Sequence, residues 1–253
     1  MKRQTFQTLA HDGTRISFDL YARPGQGTLL LICPGFFQSK ETTLFQRMAS
    51  DLATDQDVLS MDFRGHGRSG GLYTFSAREG PDLEAVLGWA RERYSAISLL
   101  GFSLGGAIAI NTAARFPDSI RTLIAVSAPS AFEEIEYRIW SPEVIYGGLR
   151  AWDPRMGCRL GNPWLKKEKP IENIRHLGIP ILLIHGTRDA IVSHSHSERL
   201  HHAAGEPKRL ELIEGGGHAE ELYRHHPDQF LQLVQTWIRA AFSIEKEEST
   251  LGK

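Results

Sequence analysis

Apolar positions recur along this chain with two different periods. Phe6–Leu9 and Thr14–Leu20 alternate residue by residue, and His11-Asp12-Gly13 between them reads as the turn of a hairpin. Leu29-Leu30-Leu31-Ile32-Cys33 is continuously apolar and stops at Pro34-Gly35. An unbroken run of this kind suits a strand covered on both faces, as in a parallel sheet. From Thr42 to Ala53 the apolar residues Leu44, Phe45, Met48 and Leu52 take up helical spacing. The exchange continues with strand Val58–Met61, helix Leu83–Tyr94, strand Ile97–Leu100, a helix stopped at Pro117, and strand Thr122–Ser127. After an interruption come strand Ile181–Ile184, helix Ser193–Ala204, strand Leu210–Ile213 and helix Gln229–Ala240.

The interruption spans 129–172 and carries Phe132, Tyr137, Trp140, Tyr146, Trp152 and Trp164. A structureless loop of that length is rare in a compact domain, so the segment predicts a partly helical cap. Most of its aromatic residues are expected to bury its inner face, and some to line a pocket. Residues 1–128 and 173–242 are then one α/β core: a mostly parallel eight-stranded sheet flanked by helices, with the cap inserted after the sixth strand. The charged segment 243–253 reads as a mobile tail.

Composition narrows the function classes. Of 253 residues 41% are hydrophobic, enough for a sizeable core. A formal net charge of −1 offers no electrostatic reason for a nucleic-acid or anionic-membrane partner. No apolar run is long enough to span a bilayer, so stable membrane association is not expected. Met1-Lys2-Arg3-Gln4-Thr5 is basic but is followed by no apolar segment of the signal-peptide kind. Cys33 and Cys158 form no framework and read as free thiols of a reducing compartment, the cytoplasm. His194, His196, His201 and His202 do not have the H-E-x-x-H spacing, and neither a metal nor a cofactor is expected.

The chemistry concentrates at Gly101-Phe102-Ser103-Leu104-Gly105. This G-x-S-x-G string lies between an apolar run and the small-residue helix Gly106-Ala107-Ile108-Ala109-Ile110, the context in which a sharp strand-to-helix turn exposes one serine. In open parallel sheets ligands bind beyond the carboxyl ends of the strands. The polar residues directly after predicted strands are Asp62, Ser103, Ser127, His185 with Asp189, and Glu214 with His218. A serine nucleophile needs a base and an acid that orients the base. Ser103, Asp189 and His218 supply those types, in the chain order of α/β-hydrolases.

On these residues the chain resembles the α/β-hydrolase-fold serine hydrolases over nearly its whole length. Asp62-Phe63-Arg64-Gly65-His66-Gly67-Arg68-Ser69 is similar to the D-x-R-G-x-G-x-S loop after the family's fourth strand, and the cap falls where the family places one. Pro34-Gly35-Phe36-Phe37 resembles the H-G-x oxyanion loop, with Cys33 and Pro34 where a histidine is usual. The nearest likenesses are small bacterial cinnamoyl and feruloyl esterases, monoacylglycerol lipases and serine-aminopeptidase-like members.

The resemblance implies Ser103 as nucleophile, His218 as base, Asp189 as its orienting acid, and the N–H groups of Phe36 and Leu104 as the oxyanion hole, with Phe37 the alternative to Phe36. Carboxylic esters of small to medium apolar acyl or aromatic groups are the expected substrates and the expected small-molecule partner. A thioesterase or an aminopeptidase/amidase on the same triad is the alternative, with Glu133, Glu134 and Glu136 a candidate anionic subsite. Assembly as a homodimer is left open. Asp62 is weighed against Asp189 as the acid and set aside as part of a turn pinned by a carboxylate–guanidinium pair, to which His66 also belongs. His185 is expected to bond backbone.

Overall fold

The computed structural model describes residues 2–22, 27–133 and 153–251, the last nine as helical backbone. Eight strands form one sheet: β1 (Lys2–Leu9), β2 (Arg15–Ala22), β3 (Thr28–Cys33), β4 (Asp57–Met61), β5 (Ala96–Phe102), β6 (Thr122–Val126), β7 (Ile181–Gly186) and β8 (Lys208–Ile213). Their order is β1-β2-β4-β3-β5-β6-β7-β8. β1 pairs antiparallel with β2 and β2 with β4, and the other neighbours are parallel.

The continuous apolar runs are explained by two covered faces. Leu29, Leu31 and Cys33 point into one core with Leu83, Val86 and Leu87 of α2 (Gly80–Arg91) and with α3 (Leu104–Arg115). Leu30 and Ile32 point into the other, with Phe45, Met48 and Leu52 of α1 (Thr43–Leu52) and Phe230, Val234 and Ile238 of the last helix. β3 is followed in chain order by β4 on one side and has β5 on its other side. The order therefore switches at β3, and the ends of β3 and β5 meet at the crevice where such sheets bind ligands.

Several elements differ in extent from the sequence pattern. β5 runs on through Gly101 and Phe102, because Gly101 still pairs with Cys33 and Ala125. β8 begins at Lys208, earlier than its apolar pattern, since an edge strand carries polar residues on its wet side. The last helix spans Pro227–Leu251, so its backbone takes in 243–251 of the segment read from the sequence as a tail. The glutamates and lysine of 243–251 are good helix formers, so charge there does not oppose a helix.

Of the cap, the residues Tyr137, Trp140, Tyr146 and Trp152 fall outside the described part. Phe132 joins the core, whereas Trp164 is 91% exposed, so it does not line a pocket. The returning limb lies along the loop after β4: Tyr73 donates to Arg159 O (2.8 Å), Arg159 to Gly65 O (2.8 Å) and Gly161 to Tyr73 O (2.7 Å). Asp153 accepts from Thr43 N–H (2.8 Å) and Thr43 Oγ (2.9 Å), capping α1.

Candidate active site

Ser103 sits between β5 and α3 at φ 49°, ψ −120°, a conformation that costs a non-glycine residue about 1–3 kcal/mol. Two glycines make the turn passable. A Cβ on Gly105 would come within 2.3 Å of the carbonyl oxygens of Cys33 and Pro34, and one on Gly101 within 2.6 Å of Gly106 Cα. Ser103 N–H donates to Val126 O (2.8 Å), tying the turn to β6. Its side chain lies beside the oxyanion-type loop: a Cβ on Gly35 would be 3.3 Å from Ser103 Cβ. Leu104, as first residue of α3, has an N–H without an intrahelical partner.

His218 and Asp189 come together from the loops after β8 and β7. His218 Nδ1 is 2.6 Å from Asp189 Oδ2. Asp189 Oδ1 accepts from the N–H groups of Ile191 (2.8 Å) and Val192 (2.9 Å). The two loops are laced by Arg188 N–H to Gly216 O (2.9 Å) and Gly215 N–H to Thr187 Oγ1 (2.9 Å). Among the described residues Ser103 Oγ has no hydrogen-bond partner; contacts of this type are often long before substrate binds.

Residues 28–144 match the model of the alpha/beta hydrolase fold family. The chain is also 27% identical to the serine hydrolase BPHL of Mus musculus, over 87% of its own length and 82% of that protein. A solved esterase of Pyrococcus furiosus superposes with a TM-score of 0.76 at 19% identity, covering 94% of this chain and 92% of that one. The esterase RhEst1 of Rhodococcus sp. ECU1013 does so with 0.77 at 21% identity, covering 94% and 99%. The chain has the alpha/beta hydrolase fold.

A second histidine lies on the acid. His185 Nε2 lies 3.1 Å from Asp189 Oδ2 and 2.9 Å from Val192 O. A carbonyl only accepts, so Nε2 carries the proton, and Nδ1 accepts from Ser197 Oγ at 2.6 Å. The expectation that His185 bonds backbone is thus met through Val192, but its contact with Asp189 had no signal in the sequence. Burial alone would raise the Asp189 carboxyl; His218 and His185 outweigh it and hold the group well below the usual carboxylate range. For His218, burial disfavours the imidazolium, yet Asp189 wins and raises the group above its ordinary value, with Glu220 and Glu221 adding to the effect.

Asp62 is committed elsewhere. It accepts from Ser39 Oγ (2.9 Å), Lys40 N–H (2.8 Å) and Arg68 N–H (3.0 Å), with the buried Lys40 Nζ at 3.8 Å. The guanidinium pair expected for its loop is made by other partners: Arg64 binds Asp82 (2.6 Å) and Asp12 (2.8 Å). Glu133 is exposed and lies 3.5 Å from Lys169, and Glu134 and Glu136 fall outside the described residues. His196 turns inward, its Nδ1 accepting from Ser130 N–H at 3.1 Å. No group of three or more His, Cys, Asp or Glu side chains among the described residues could hold a metal, and no described helix is long and apolar enough to cross a membrane. Cys33 is buried with its thiol pushed up by burial, which keeps it protonated.

His66 has a role of its own in acid. Burial lowers its pKa to about 4, against about 6.5 in an unfolded chain. Between those values the unfolded state binds the extra proton, so stability falls as pH is lowered from about 6.5 to about 4. The full difference is about 3 kcal/mol. Urea midpoints of wild type and His66→Gln at pH 7, 5.5 and 4.5 check this: the wild type should lose the larger share, and parallel losses would refute it.

Proposed function

We propose that the chain is a serine carboxylic ester hydrolase acting on small to medium apolar acyl or aromatic esters through an acyl-enzyme on Ser103. Ser103 Oγ attacks the carbonyl carbon while His218 Nε2 takes its proton. The resulting oxyanion is held by Leu104 N–H and Phe36 N–H. The intermediate collapses, the C–O bond to the alcohol breaks, and His218 returns the proton to the departing oxygen. Water, deprotonated by His218, then cleaves the acyl-enzyme and restores Ser103. Asp189 keeps the proton of His218 on Nδ1.

The observation that carries this reading is the strained Ser103 next to Gly35 of the oxyanion-type loop, with the His218–Asp189 pair on the same sheet edge and, among the described residues, no hydrogen-bond partner for the N–H groups of Phe36 and Leu104. Phe36 is favoured over Phe37 as second donor because Phe37 N–H is already bonded to His66 Nε2 at 3.1 Å. Apolar substrates are supported by the ring cluster behind the loop: Phe36 lies 5.2 Å from Phe75 and 5.7 Å from Tyr73. The relatives named as esterases and as a serine hydrolase point the same way. Two free cysteines suit a reducing compartment, and we place the protein in the cytoplasm.

A rate panel of short and long p-nitrophenyl esters, a hydroxycinnamate methyl ester, an acyl thioester and an aminoacyl anilide tests the reading. An apolar ester is expected to give the highest kcat/KM. A thioester or anilide at the top would keep the acyl-transfer chemistry and overturn the ester assignment.

A further inference from the structure

Phe37 is a non-glycine residue at φ 68°, next to the proposed oxyanion donor Phe36. Both of its peptide groups are anchored from outside the loop. Its N–H donates to His66 Nε2 (3.1 Å), and its carbonyl accepts from Gly157 N–H (3.0 Å). A backbone N–H only donates, so His66 Nε2 must be unprotonated and the ring proton sits on Nδ1, which donates to Arg64 O at 3.2 Å. The ring cannot swing away. Tyr73 meets it edge-on at 4.5 Å, Phe36 lies edge-on at 6.4 Å, and Cys158 pairs with the His66 backbone. Arg64 is itself locked by Asp82 and Asp12. On the other side of the loop, Gln38 Nε2 donates to Glu220, two residues past His218.

We propose that His66 is a positioning residue of the oxyanion hole: its neutral ring captures Phe37 N–H, holds the loop in its strained form, and so leaves Phe36 N–H as the donor beside Ser103. This rests on the ester-hydrolase reading above. A displacement of about 1 Å in such a donor costs on the order of 10² in rate. The role differs from simple packing because it needs an acceptor at one end of the ring. Phenylalanine would keep the ring's shape against Tyr73 and Phe36 but take the His66 acceptor away from the Phe37 N–H. Glutamine would place a carbonyl oxygen about where Nε2 lies.

The test compares wild type, His66→Phe, His66→Gln and His66→Met on p-nitrophenyl butyrate, with inhibition by an alkyl trifluoromethyl ketone, which forms an oxyanion-bearing adduct on serine. His66→Phe is expected to lower kcat by about 10² with KM within about threefold, and to weaken the ketone by a similar factor. His66→Gln should recover at least tenfold of the lost kcat. If His66→Phe does not fold, the glutamine and methionine variants, equal in length and differing in the acceptor, decide. His66→Phe at wild-type kcat and ketone affinity overturns the proposal, as does His66→Gln no better than His66→Met. Those results with an active wild type sink this inference alone. A wild type inactive on every ester sinks the underlying reading as well.

Discussion

Ser103→Ala is expected to lower kcat on the best ester by about 10⁶-fold. The substitution removes the atom that would form the acyl-enzyme and leaves the turn intact, because alanine has the same Cβ and meets the same φ of 49°. The glycines that allow β5 and α3 to approach are untouched, and so is the Ser103 N–H bond to Val126. Fold should be unchanged by circular dichroism and thermal midpoint, and labelling by a fluorophosphonate should vanish. Residual turnover above about one per cent of wild type would mean that another group, or solvent, makes the attack.

Asp189→Asn should cost about 10⁴ in kcat. Asp189 accepts four hydrogen bonds: Ile191 N–H and Val192 N–H on Oδ1, and His185 Nε2–H and His218 on Oδ2. An asparagine amide has one acceptor end and one donor end, so either orientation sets a donor against donors. Where the amide nitrogen faces the histidines, His218 is driven to the tautomer with its proton on Nε2, and that nitrogen can no longer take the serine's proton. Loss of the negative charge also removes what raises His218, so any residual activity should have its acid limb at lower pH. A pH–rate profile checks both points, and wild-type turnover in Asp189→Asn would show that a different acid serves His218.

How much of this site was legible depends on the range of the interaction. The serine turn was readable because its geometry is demanded by neighbours in the chain: a strand, a left-handed serine, a helix of small residues and two glycines without room for a Cβ. The aspartate and histidine were readable as residues placed just after strands, since parallel strands deliver their following loops to one edge. The loop Asp62–Ser69 was readable as a turn, but not the partners of its ion pair. The sequence pointed to a carboxylate–guanidinium pair without its partners; the fold turns Asp62 toward Lys40 and the loop's own N–H groups and sends Arg64 to Asp82. His185 and His66 carried no usable signal as partners of the site.

The chain's sequence by itself determined the order of strands and helices, the two-faced burial of the central strands, and the turn that presents Ser103. These follow from hydrophobic period and from which residues tolerate a given backbone angle, both local properties. Only the tertiary structure decided which N–H beside the serine stays unpaired, which nitrogen of His66 and His185 carries the proton, and which acid meets His218. The decisive hydrogen bonds join residues that are not neighbours in the chain: 29 residues separate Phe37 from His66 and Asp189 from His218, and 7 and 12 separate His185 from Val192 and Ser197. Such a bond exists only once packing has brought a donor and an acceptor within reach, and no pattern of neighbouring residues encodes it.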